Sequence, residues 1–148
     1  MSITAGGGMF LDRGKPHFLS SGEIHYFRLD PRLWERHLRL LKRSGANTVS
    51  TYIPWDWHEW EPGSVDFTGE THPGRNLIGF FGLCRRLGLH LIVKPGPYIL
   101  AEYDLHGLPA WLVERLGPGA RAQDRRGNVI APDLMCYMSE EFLRHALH

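Results

Sequence analysis

Three short runs rich in apolar, aromatic and β-branched residues alternate along this chain with two segments of helical periodicity. The runs are HFLSSGEIHYF at 17–27, NTVSTYIPW at 47–55 and LHLIVK at 89–94. Pro54 ends the second and Pro95-Gly96-Pro97 the third, because a proline cannot donate to a strand ladder. The first reads as a hairpin or extended lead-in, then a strand ending near His25 and Tyr26. The second and third carry the near-continuous apolar character expected of strands buried on both faces. An order of strand, helix, strand, helix, strand predicts right-handed crossovers and a parallel sheet.

The intervening helices have readable ends. Asp30 suits an N-cap, Pro31 the first helical position and Gly45 the stop, with Leu33, Trp34, Leu38 and Leu41 as the buried stripe. Arg36, Arg39, Lys42 and Arg43 fall toward the end of this helix, where a solvated face complements the helix dipole. The second helix is predicted from near Asn76 to Leu87, with Leu77, Phe80, Phe81, Cys84 and Leu87 inward and Gly88 at its end. No Gly-x-Gly-x-x-Gly follows a strand, which disfavours a dinucleotide fold, and Gly6, Gly7 and Gly8 read as a flexible lead-in.

Composition narrows the function classes. Seventeen Lys and Arg against sixteen Asp and Glu leave a formal +1, too little positive field for a general nucleic-acid or anionic-membrane binder. No uninterrupted apolar stretch of about 18 residues occurs, so no membrane span is expected. Met1 to Met9 lacks the basic-then-apolar pattern of a secretory leader. Cys84 and Cys136 share no metal-knuckle spacing and read as free thiols, pointing to a reducing, cytoplasmic setting. No residue set suggests a metal, nucleotide or flavin.

In a βα-barrel the working face lies at the C-terminal ends of the strands. Glu23, His25 and Tyr26 follow the first strand. Tyr52 and the run Trp55-Asp56-Trp57-His58-Glu59-Trp60-Glu61 follow the second; Tyr98-Ile99-Leu100-Ala101-Glu102-Tyr103-Asp104 follows the third. Aromatics beside carboxylates suit a sugar, whose ring has an apolar face and whose hydroxyls donate to carboxylates. Trp55, Trp57 and Trp60 can cap a barrel mouth, Glu59 and Glu61 can be solvated or paired before Pro62-Gly63, and His25 and His58 can be structural or substrate-facing. Glu102, directly after an apolar strand and a Pro-Gly-Pro turn, has no such surface reason, and position alone would nominate it for catalysis.

The segments SGEIHYFRL at 21–29, NTVSTYIPWDWHEWEPG at 47–63 and VKPGPYILAEYDLHGLPAWL at 93–112 resemble the family 35 glycoside hydrolases, the β-galactosidases. The resemblance runs in one order from about residue 9 to about 115. It implies a (β/α)₈ barrel, an α/β fold, that removes terminal β-linked galactose with retention of configuration. By the same resemblance Tyr52 contacts galactose, Glu102 hydrogen-bonds galactose hydroxyls rather than acting in catalysis, and Ile99 and Ala101 present backbone and wall. Glu23, His25, Trp55, Asp56 and Leu100 are candidate pocket-lining residues. Three positions depart from the family pattern: Asp56 where Asn is usual, Leu100 where Cys or Asn is usual, and Tyr103 where Trp is usual. Leu100 puts the sugar preference in question.

The family's acid/base, in an Asn-Glu pair, and its later nucleophile match no segment here, so the chain alone is expected to be inactive. Residues 103–138 read as a long connection, after which Ser139 caps an amphipathic helix carrying Glu140, Phe142, Leu143, Ala146 and Leu147. A closed barrel takes ~250 residues, so 148 residues are expected to be about three βα units of its N-terminal portion. The rest of the barrel, or self-association, would then cover the open sheet edges. The alternatives are a non-catalytic sugar-binding domain and a related barrel glycosidase acting on glucosamine or a β-glucoside.

Overall fold

Two glycine-containing turns shape the beginning of the chain. In the computed structural model, which describes residues 3–147, β1 (Ile3–Gly6), β2 (Met9–Asp12) and β3 (Lys15–His17) form an antiparallel meander in that order. Gly7 and Gly8, with φ of 59° and 76°, make its first two-residue turn; Arg13 and Gly14, at 51° and 76°, make the second. Two-residue type I′ hairpin turns need positive φ at both central residues, so Gly7 and Gly8, expected as a flexible lead-in, instead turn one strand of a sheet into the next.

Contacts divide the chain into two units. The first holds the residues up to Thr51 and Phe67–Lys94; the second holds Tyr52–Asp66 and the chain from Pro95 onward. A second sheet, in the order β4 (Ser21–Glu23), β5 (Thr48–Ile53), β6 (His90–Pro95), contains the three strands expected from the sequence. β4 and β5 are parallel, pairing Ser21 with Thr48 and Glu23 with Ser50. β4 stops at Glu23, short of His25 and Tyr26, because Tyr26 and Phe27 enter a buried 3₁₀ turn. There the Tyr26 ring meets Phe80 at 5.2 Å and Trp34 at 6.2 Å, and aromatic packing replaces strand pairing.

Central β5 is buried at Thr48, Val49 and Thr51, as expected. β6 is not buried on both faces: Ile92 and Val93 remain 39% and 38% exposed. It is an end strand of the sheet among the described residues, so its outer side has no neighbour.

The Asp30 side chain accepts the Arg32 N–H and opens a 3₁₀ turn that runs into α1 (Trp34–Arg43). The Arg32 guanidinium bonded to it holds the Asp30 carboxyl down at about 2. Trp34 and Leu38 are buried and Leu41 is half-buried; Leu33, expected in the stripe, is 40% exposed because it precedes the α-helix. Gly22 lets α1 approach β4, since a Cβ there would lie 2.3 Å from Leu41 Cδ1. On the basic face Arg39 pairs with Glu35, and Lys42 Nζ donates to the Leu87 carbonyl at 2.6 Å. α3 (Leu77–Arg86), capped by Asn76 Oδ1, buries Leu77, Phe80, Leu83 and Cys84, while Phe81 and Leu87 are half-buried. Burial pushes the Cys84 thiol up to about 12.

The second unit contains α2 (Trp55–His58), α4 (Ala110–Arg115) and α5 (Glu140–Ala146) around Leu108, Leu112, Leu116, Met135 and Phe142. The segment 103–138 is thus not one long connection. Leu108, Leu112 and Leu116 form an i, i+4 stripe through α4, which Pro109 and Gly117 bracket too closely for the pattern to stand out. Bridges Arg121 to Met135 and Gln123 to Val129 then make a short antiparallel excursion. Ser139 Oγ accepts the Phe142 N–H, the expected cap of α5. No helix among the described residues is long and apolar enough to cross a membrane.

Asn47 joins the beginnings of all three parallel-sheet strands. Its Oδ1 accepts the Ser20 N–H at 3.0 Å and the Thr48 hydroxyl at 2.7 Å, and its Nδ2 donates to the Phe18 carbonyl at 2.7 Å. Its own N–H donates to Ser20, and its carbonyl accepts the His90 N–H at 2.9 Å. Asn47→Ala is expected to destabilise the first unit by about 2–4 kcal/mol, because it strands several half-buried groups at once. Urea denaturation with an unchanged midpoint would contradict this.

Candidate functional site

The second unit brings the segments after β5 and β6 side by side. A Cβ on Gly96 would lie 3.8 Å from both the Ile53 carbonyl and the Trp55 Cβ. Gly107, at φ 79°, packs so closely that a Cβ would lie 3.1 Å from Ile99 Cγ1 and 3.5 Å from Pro54 Cβ. Tyr52, Trp55, Asp56 and the run Ile99–Glu102 therefore belong to one local assembly.

In the first segment, the Trp55 indole N–H donates to Glu59 Oε2 at 2.5 Å, and Glu59 Oε1 accepts the Gly63 N–H at 2.7 Å. The Trp111 indole donates to the Glu59 carbonyl at 3.2 Å, and the Trp55 and Trp111 rings meet edge to face at 6.2 Å. Glu59 is thus paired, as its place before the Pro62-Gly63 turn suggested. His58 is buried, with Nδ1 2.5 Å from the Asp66 carbonyl, while the Asp66 N–H returns to the His58 carbonyl. That contact makes Nδ1 the donor and His58 a structural residue. Tyr52, Trp55, Asp56, Trp57 and Trp60 are half-buried.

The second segment alternates. Ile99 and Ala101 are buried, whereas Glu102 is exposed and Leu100 is 73% exposed. Ile99 and Ala101 pack as a wall; Leu100 and Glu102 offer an isobutyl group and a carboxylate outward. The loop begins at a cis Gly96-Pro97 peptide, and Glu102, Leu105 and His106 all have positive φ, of 42°, 47° and 53°. Non-glycine residues adopt that region seldom, and such outliers gather at functional loops.

Glu23 and His25 lie in the first unit. Glu23 Oε1 is 2.6 Å from Lys94 Nζ and 3.8 Å from His25 Nε2. Both line a groove of about 500 Å³ whose other walls include His37, Leu40 and Leu41. Among the described residues no three His, Cys, Asp or Glu side chains group closely enough to hold a metal ion.

Sequence reasoning passed over one cluster. The Tyr98 ring stacks on His106 at 4.4 Å and 24°, and His106 Nε2 lies 3.3 Å from Asp133 Oδ2. Tyr137 meets Tyr98 edge to face at 6.5 Å. Burial, with the Asp133 charge beside it, raises the Tyr98 hydroxyl above its ordinary value. Asp133 arrives from a distant irregular segment, so no spacing joined it to His106; the one local hint was a histidine directly before Gly107. Gly107→Ala is expected to lower the stability of the second unit by about 1–3 kcal/mol, through positive φ and the Ile99 contact together. An unchanged thermal midpoint would show that the loop accommodates a side chain there.

The sequence profile described as Glycosyl hydrolases family 35 matches residues 9–127. A β-1,2-glucosyltransferase of Ignavibacterium album is 62% identical over 136 residues, 92% of this chain and 19% of that protein. An exo-β-D-glucosaminidase of Pyrococcus horikoshii is 53% identical over 62% of this chain and 12% of its own length. A β-galactosidase of Mus musculus is 44% identical over 78% of this chain and 17% of its own. Among solved structures, a β-galactosidase from the psychrophilic Marinomonas ef1 superposes with a TM-score of 0.66 at 18% identity, covering 86% of this chain and 18% of that one, a likeness of fold. This chain spans about a fifth of the length of the first of these relatives, and its match along 9–127 makes it a member of the glycosyl hydrolases family 35.

Proposed function

We propose that the complete protein handles a terminal β-glucosyl residue by a retaining, two-carboxylate reaction, passing it to a sugar hydroxyl or to water. The observation that carries this is the 62% identity, over 92% of the chain, to a glucosyltransferase, against 44% over 78% for a β-galactosidase. In such a reaction one carboxylate attacks the anomeric carbon while a carboxylic acid protonates the departing oxygen. An acceptor hydroxyl, deprotonated by the same group, then displaces the enzyme. Both groups are assigned to sequence beyond this chain. The residues here bind: Glu102 accepts sugar hydroxyl protons, Tyr52 and Trp55 offer ring surface and hydroxyl, and Ile99 and Ala101 back the loop. Leu100 presents an apolar group where a polar or small one is usual in the family pattern. Glucose and galactose differ only in the C4 hydroxyl, so one wall residue is enough to shift the preference.

β-Galactoside hydrolysis is the second reading, favoured by the T-Y-x-P-W and P-Y-x-x-A-E motifs around Tyr52 and Glu102. The full-length protein, supplied with nitrophenyl β-glucoside, β-galactoside and β-glucosaminide with and without a glucose oligosaccharide, separates the two. Preferred glucoside turnover, with transfer products when acceptor is present, is expected. Preferred galactoside turnover without transfer would establish the second reading instead. Glu102→Gln should lower kcat/KM about 10- to 100-fold by removing a charge-assisted hydrogen bond, and an unchanged value would remove Glu102 from the site.

A further inference from the structure

We propose that His106, held by Asp133 and Tyr98, is a positioning residue that fixes the sugar-binding loop Ile99–Glu102. The inference rests on the reading of that loop as part of the sugar subsite. Leu105 and His106 both sit in the left-handed region, at φ 47° and 53°, directly before Gly107 at 79°. A histidine costs more there than glycine, so its conformation persists only where its surroundings determine it.

The surroundings do so from three sides. The Tyr98 ring lies nearly parallel on the imidazole at 4.4 Å. Asp133 Oδ2 stands 3.3 Å from Nε2, brought by the excursion that follows α4. The His106 N–H donates to the Tyr103 carbonyl at 3.0 Å, closing the turn behind it. The same residue then acts on the loop, because its carbonyl accepts the Ile99 N–H at 2.8 Å. That bond, with the packing of Ile99 against Gly107, decides how the next three residues are presented. The chain of contacts is Asp133 to imidazole, imidazole to His106 peptide, and peptide to Ile99. Tyr98, stacked on the imidazole and adjacent to Ile99, closes it into a ring.

Asp133 is the handle for the test, because it lies far along the chain from the loop and stands 3.3 Å from the His106 imidazole. In the full-length protein, Asp133→Ala and His106→Gly should speed hydrogen exchange at the Ile99 amide about 5- to 30-fold, the loss of one charge-assisted contact. Both should raise the donor KM by a similar factor with kcat changed less than about twofold, because ground-state positioning is lost and not the chemistry. Asp133→Asn, the same size and with an amide oxygen to face Nε2, should restore both values. Unchanged Ile99 exchange in Asp133→Ala and His106→Gly overturns the proposal, as does faster exchange with an unmoved KM. Should the unsubstituted protein turn over no β-glycoside, the functional reading fails and the exchange result alone decides whether the clamp exists.

Discussion

One residue, Asn47, bonds three stretches of chain through its side chain and its backbone together. Ser20, Thr48 and Phe18 meet it through its side chain, and Ser20 and His90 through its backbone. Parallel strands cannot be joined by tight turns, so nothing local sets where one begins relative to the next. Asn47 supplies that reference at the start of β4, β5 and β6. A one-residue slip in a parallel strand reverses every side chain, and here it would also empty the Asn47 bonds. The close seat of α1 on Gly22 depends on the same register, because Gly22 must oppose Val49 to lie beneath Leu41.

The parallel sheet was readable because its signals are local. Proline ends β5 and follows the third apolar run, asparagine and serine cap helices, and apolar spacing marks the buried faces of α1 and α3. What sequence reading missed depended on conformation or on partners far along the chain. Gly7 and Gly8 look the same in a flexible tail and in a hairpin, and only a pairing strand distinguishes them. Likewise Ile92 and Val93 have the composition of a buried strand, yet their exposure depends on whether another element lies outside β6.

The candidate site divides along the same line. Strand ends and motif resemblance both nominate Tyr52, Ile99, Ala101 and Glu102, and all four fall in the second unit. Alternation of burial across Ile99–Glu102 agrees with a loop whose even-numbered members face outward. His58 and Glu59 resolve toward structural roles through bonds to Asp66, Trp55 and Gly63, which composition alone left open. The Tyr98–His106–Asp133 ring was invisible because its residues have unrelated spacings and its mark, positive φ at His106, is a property of shape.

The two cysteines, both free thiols, give the molecule a built-in pair of labels. Cys84 lies in the first unit, buried, with its thiol held in the unreactive protonated form by a value near 12. Cys136 lies in the second, half-buried, one residue from Tyr137 and three from Asp133. Thiolate is the reacting species, so an alkylating probe reaches Cys84 only when α3 leaves its packing. Mass spectrometry of the two tagged peptides would therefore clock the opening of each unit separately, with no foreign dye and no substitution introduced.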